Sequence, residues 1–94
     1  MNDLEISKAL ALAIGYKDTN LADNNFVLYV WHGSWRKFDY RDWNVIGPIA
    51  ERYDCFPLKA GDSWLSRYLW RGCGVQADTP QKAIALAVIQ GANK

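Results

Sequence analysis

The sequence predicts a small α+β domain with the element order α-β-β-α-β-β-α and an antiparallel sheet of about four strands packed with helices. Three observations carry that expectation. Apolar residues recur at helical spacing near both ends of the chain and around Trp43 to Tyr53. Two stretches rich in β-branched and aromatic residues are each broken by glycine into a hairpin. The chain has 94 residues, half of them hydrophobic, which is enough for one core and leaves little for a second lobe.

The first helix is expected to begin near Asn2, because Asn2 and Glu5 have the spacing of a capping box, and to stop at Gly15. Ile6, Ala9, Leu10, Ala13 and Ile14 form its predicted buried stripe. The polar stretch Lys17 to Asn25 reads as a loop. Phe26 to Trp31 then reads as a strand, His32-Gly33-Ser34 as a turn, and Trp35 to Phe38 as the returning strand. A carboxylate at Asp39 or Asp42 can cap the middle helix, whose face is Trp43, Ile46, Ile49, Ala50 and Tyr53. Gly47-Pro48 inside that pattern predicts a bend or a late start, since proline removes one helical hydrogen bond. A second hairpin would pair Cys55 to Ala60 with Ser63 to Trp70 around Gly61-Asp62. The last helix has Thr79 as N-cap, Pro80 at its first position, an Ala/Ile/Leu/Val body and Gly91 as its stop.

Composition excludes several classes of function. Eleven Lys and Arg against ten Asp and Glu suggest neither an acidic nucleic-acid mimic nor a strongly basic nucleic-acid binder. The longest apolar run, Ala83 to Ile89, falls far short of the roughly 20 residues that cross a bilayer. The N-terminal residues have no basic region followed by a hydrophobic stretch, so the expected location is the cytoplasm, with Cys55 and Cys73 as reduced thiols. A single His and two Cys at positions 32, 55 and 73 are too few and too scattered for a metal site, and no cofactor is expected. No Walker or dinucleotide glycine pattern exists. Nucleophilic catalysis would have to use His32, the single histidine, with Cys73 between two glycines.

The segment Asp42-Trp43-Asn44-Val45-Ile46-Gly47-Pro48-Ile49-Ala50-Glu51-Arg52, the strand tryptophan Trp64 and Thr79-Pro80-Gln81-Lys82-Ala83-Ile84 together resemble a known family. They are similar to small tailed-phage and prophage accessory proteins of the NinX and phage α/β/α-sandwich type. The resemblance covers about the last two thirds of the chain. It implies an α/β fold and a phage context, hence a bacterial host cytoplasm, and it supplies no catalytic residues.

Five Trp and five Tyr are the unusual feature, several of them beside arginine. If helices cover both faces of the sheet, these rings are core. If one face is open, rings and guanidinium groups make a stacking platform suited to a nucleotide-type ligand or to a protein interface. Alternation sets Trp64, Tyr68 and Trp70 on one side of the fourth strand and Leu65 and Leu69 on the other. The expected ligand-binding set is therefore Trp35, Arg36, Trp64, Arg67, Tyr68, Trp70 and Arg71. The expected function is non-enzymatic counter-defence, sequestering a small nucleotide-type host immune signal. One alternative is an inhibitor docking on a host defence protein, and another is a small hydrolase or nuclease using His32. The first and last helices look apolar almost all round, which predicts a symmetric homo-oligomer.

Overall fold

The computed structural model describes residues 2–22, 27–31, 33–70 and 74–92. In chain order the elements are α1 (Asp3–Ala13), β1 (Thr19–Ala22), β2 (Val27–Trp31), β3 (Trp35–Lys37), α2 (Trp43–Arg52), β4 (Leu58–Ala60), β5 (Ser63–Ser66), a 3-10 turn (Tyr68–Trp70), β6 (Val75–Ala77) and α3 (Pro80–Ala92). The α+β class is as expected, but the single four-stranded sheet is replaced by two antiparallel three-stranded sheets, ordered β1-β2-β3 and β4-β5-β6.

Two of the strands were hidden from apolar patterning. Strand β1 lies where a loop was expected, pairing Thr19 with Val30 and Leu21 with Leu28. Its neighbour supplies the backbone partners, so a polar edge strand forms without an apolar run of its own. Strand β6 pairs Trp64 with Ala77 and Ser66 with Val75 in the same way. The fourth predicted strand, in turn, is too long: β5 ends at Ser66, and Leu69 and Trp70 take left-handed φ values of 53° and 52°. Side chains of Tyr68 and Trp70 therefore do not follow the alternation that placed them beside Trp64. Leu69, expected in the core, is exposed.

Helix starts follow capping chemistry closely. The Asn2 side chain accepts from the Glu5 amide at 2.8 Å, and Glu5 accepts in return from the Asn2 amide. Asp42, not Asp39, caps α2 by accepting from the Asn44 amide, and the helix starts at once rather than late, running on through Pro48. Thr79 accepts from the Lys82 amide at 3.2 Å, which makes it the α3 cap. Gly15 adopts φ 103° just past α1, a conformation that costs a Cβ-bearing residue energy.

The core is built around α3, which buries Ala83, Ile84, Ala85, Ala87 and Val88. Helix α3 packs against α1, α2, β5, β6 and the 3-10 turn, while α1 also contacts β2. Small alanines let these elements approach closely. Because α3 meets neighbours on so many sides, its all-round apolar character is largely spent within the chain. On α1 the buried residues are Ile6, Ser7, Leu10 and Ala11, so Ser7 and Ala11 join the predicted stripe while Ala9, Ala13 and Ile14 are only half-buried. Ser7 is tolerated there because its hydroxyl accepts from the buried Tyr40 amide at 3.1 Å.

A polar clamp ties α1 to the β3–α2 connection and to α3. The Tyr40 hydroxyl donates to Asp3, Arg41 grips Asp39 with Nε and Nη2 at 3.0 and 2.9 Å, and its Nη1 reaches Asp3 at 3.2 Å. Gln81 of α3 donates to the Arg41 carbonyl. The Arg41 hydrogen bond holds the Asp39 carboxyl below its ordinary range, and burial, with Asp3 alongside, pushes the Tyr40 phenol far upward. Cys55 is a free and buried thiol, which burial pushes up to about 11. Ser66 donates to its carbonyl at 2.6 Å. Cys73 lies outside the described residues.

Gly91, expected to end α3, lies inside it, and a Cβ there would overlap the ring of Tyr68. Alanine is favoured over glycine by about 1 kcal/mol in a helix interior. Overpacking a rigid ring costs about 1–3 kcal/mol, so the overlap should win. Gly91→Ala is expected to lower stability in urea unfolding, and adding Tyr68→Ala should remove the incompatibility. A single substitution that stabilises would show that Tyr68 yields.

Acid provides a second check on the fold. Asp39 binds a proton less readily folded than unfolded, so its stabilising effect is present above the ordinary carboxyl value of 3.8 and is lost as pH falls through the lower folded value. Asp39→Asn should flatten the acid limb of the stability–pH curve. An unchanged limb would mean that the Arg41 fork contributes nothing in solution.

Candidate functional site

The predicted site residues divide between the two sheets. Trp35 and Arg36 stand on β3, an edge strand of the first sheet, and both are exposed. Trp64 is half-buried on β5, with the Lys59 ammonium 4.9 Å from its ring centroid. Arg67 lies over Trp70 at 6.0 Å, and its Nε is buried without a hydrogen-bond partner among the described residues. Tyr68 stacks on Tyr53 at 5.6 Å and 28°. Arg71 and His32 lie outside the described residues.

A groove of about 620 Å³ opens between the first sheet and α2, in the size range of small-molecule sites. Its floor includes Val30, Phe38, Val45 and Ile49, which sequence alternation and helical spacing turn toward the core. Four cationic residues border it, Lys17 after α1, Arg36 and Lys37 on β3, and Arg52 at the end of α2, against the single carboxylate of Asp18; strand register sets the Arg36 side chain on the groove face with Val30 and the Lys37 side chain on the opposite face with Tyr29. None of those four cations forms an ion pair among the described residues.

Aromatic rings stand close by. Trp31 and Trp35 face each other across β2 and β3, edge to face at 5.6 Å, and are 46% and 48% exposed. They border an adjoining depression of about 400 Å³ that shares Lys17, Asp18 and Trp31 with the groove. On α2 the Arg52 guanidinium lies 5.3 Å from the Tyr53 centroid. Tyr53 is also stacked on Tyr68, so Arg52 is held by a rigid aromatic stack. Tyr16 lines the groove as well, edge to face with Phe38 at 5.8 Å.

Arg36 of the predicted set thus lines the groove, Trp35 borders its extension, and Tyr68 supports it from behind Tyr53. The structure does not place Trp64, Arg67 or Trp70 on its walls. Sequence reasoning missed Tyr16, Lys17, Lys37, Arg52 and Tyr53. Arg52-Tyr53 and Tyr16-Lys17 carry the same signal as Trp35-Arg36, a ring next to a cation, but stand at helix ends where capping absorbs attention.

Chemically, the groove offers cations, ring faces and an apolar floor. Among the described residues no group of three or more His, Cys, Asp or Glu is placed to hold a metal ion. No helix among them is long and apolar enough to cross a membrane. No protein-family model, curated protein or solved structure matches this chain.

Exposed groove cations should matter little for folding. Arg36→Ala and Lys37→Ala are each expected to change unfolding free energy by no more than about 0.5 kcal/mol. A loss several times larger in denaturant unfolding would make them structural.

Proposed function

We propose that this chain is a binding protein that takes up a small nucleotide-type anion in the groove between the first sheet and α2 and releases it chemically unchanged. The observation that carries the reading is the excess of cationic residues, Lys17, Arg36 and Arg52 with Lys37 beside them, over the one carboxylate Asp18 around an apolar-floored groove bordered by the exposed Trp31. Indole faces stack on a planar base, and arginine grips phosphate through two parallel hydrogen bonds. A counter-defence role in a phage setting, with the ligand a host immune signal, rests on the family resemblance of the helix and N-cap motifs alone. In that setting the protein would act in the bacterial host cytoplasm by sequestration.

Protein contact is the second reading, supported by Phe56 and Leu58, which are 49% and 57% exposed beside the edge strand β4. An edge strand presents unpaired backbone donors and acceptors to another chain. The symmetric homo-oligomer and the inhibitor docked on a host protein both draw on this surface. A monomeric mass by light scattering at micromolar concentrations would overturn the oligomer.

A thermal-shift screen of mononucleotides and dinucleotides tests the main reading. Ligand at 100 times its dissociation constant should stabilise the fold by about 2.7 kcal/mol. Arg36→Ala should weaken binding by about 2 kcal/mol or more while leaving the fold intact. Mass spectrometry of ligand recovered after denaturation should find it unaltered, and recovery of a cleaved product would replace binding by catalysis.

A further inference from the structure

The two faces of the first sheet differ in character. Leu28, Val30 and Phe38 turn to the core with Ile6 and Leu10 of α1, and Arg36, opposite Val30, shares that side. The other face carries Asp18, Asn20, Trp31, Trp35 and Lys37, all exposed, and the half-buried Tyr29. Backbone pairing sets these side chains in two rows. Tyr29 stands between Asn20 and Lys37, and Trp31 is paired with Trp35. The Trp31 amide donates to the Asp18 carbonyl at 3.0 Å, one step beyond the Thr19–Val30 pair, so Asp18 completes the second row. Trp31 therefore has a carboxylate on one side and a second indole on the other, with directly opposed Cβ atoms about 5 Å apart. All three line one open depression of about 400 Å³.

Folding leaves this row unoccupied. Asp18 has no ion pair or side-chain hydrogen bond among the described residues. No Lys or Arg among them lies over either indole, although such contacts do form at Tyr53, Trp64 and Trp70. We propose that Asp18, Trp31 and Trp35 form a binding site for the guanidinium group of a small arginine-type ligand. The plane of the guanidinium lies on the indole pair, and two of its N–H groups donate to the Asp18 carboxylate. Indole is the best ring for a cation, and the rings meet at 67°, which gives the group a floor and a wall. Guanidinium is planar and weakly hydrated, and its fork matches a carboxylate, whereas an ammonium is strongly hydrated and has no plane to stack. Lys17 borders the same depression and supplies a partner for the ligand's own carboxylate. The site stands on the sheet face opposite Val30 and Arg36 and does not rest on the nucleotide reading.

Free arginine, citrulline, lysine and agmatine are titrated in turn in low-salt buffer at neutral pH, read by indole fluorescence and calorimetry. Citrulline keeps the shape and plane of arginine but is uncharged at the urea group, so it should bind roughly tenfold or more weakly than arginine. Lysine should also be weaker by roughly tenfold. Agmatine, which has no carboxylate, should be roughly twofold to fivefold weaker than arginine. Asp18→Asn should erase the preference for arginine over citrulline, and Trp35→Leu should weaken both. Lys8→Gln, exposed on α1, should change nothing. Circular dichroism checks that each variant is folded, and the comparison of ligands on the unaltered protein needs no variant at all. Citrulline as tight as arginine would overturn the charge reading, and lysine as tight as arginine would overturn the stacked fork. Agmatine as tight as arginine would remove Lys17 from the site. Tighter binding of an arginine residue blocked at both ends than of free arginine would overturn the small-ligand assignment in favour of a protein side chain. Binding of none of these probes would overturn the site itself while leaving the nucleotide reading untouched.

Discussion

Helix α3 has no polar side to turn to water over Ala83 to Ile89, and the rest of the fold follows from the need to cover it. An apolar helix of that kind must be buried on several faces at once. Helices α1 and α2, strands β5 and β6 and the 3-10 turn share that burial. At its C-terminal end the packing is tight enough that the absence of a side chain at Gly91 makes room for the Tyr68 ring. The same ring continues the stack through Tyr53 to Arg52. Packing around α3 therefore fixes the position of a cation at the edge of the groove.

Serving α3 also explains why there are two sheets and why a groove separates one of them from α2. The second sheet lies on α3 through β5 and β6, whereas the first meets the body through α1 against β2. Helix α2 spends its apolar face, Ile46, Ile49 and Ala50, on the core beside α3. Its other residues, Asn44, Pro48 and Arg52, are left along one wall of the groove, with β2 and β3 as the opposite wall. A near-neutral total charge conceals this arrangement. Carboxylates are occupied elsewhere, Asp3 and Asp39 with Arg41, Asp42 as a helix cap and Asp78 beside Lys82, so the groove keeps its positive excess.

Local chemistry was legible in the sequence wherever one residue decides a conformation. Asn2, Asp42 and Thr79 cap helices because a side-chain oxygen next to free backbone amides has few better options, and these caps appear as read. Period-2 alternation also held where the strand is continuous, with Leu28 and Val30 buried and Trp31 exposed. It failed after Ser66 because alternation presumes extended backbone, and Leu69 and Trp70 are left-handed. Such a bend is held by distant partners, here the Leu69 amide donating to the Tyr53 carbonyl at 3.0 Å, which no local pattern announces. Strands β1 and β6 were invisible for a related reason, since a short edge strand takes its identity from its neighbour. The site was half legible: ring-and-cation neighbours pointed to Trp35 and Arg36, but which such pairs share a groove depends on how α2 and the first sheet are placed.

That dependence also separates the two aromatic groups physically. Tyr68, Trp70 and Arg67 sit where two consecutive residues are held in a conformation costing about 1–3 kcal/mol each, so the surrounding packing must over-determine the turn. Rings in such a place stabilise the chain around α3. Trp31 and Trp35 have no comparable duty, being half exposed on a hairpin whose buried side is already provided by Leu28 and Val30. A large apolar ring left in water next to cations gains little for folding, and any contribution it makes to binding comes when a planar ligand replaces that water. The ring pair that packing does not require is therefore the one left free to stack on a planar group.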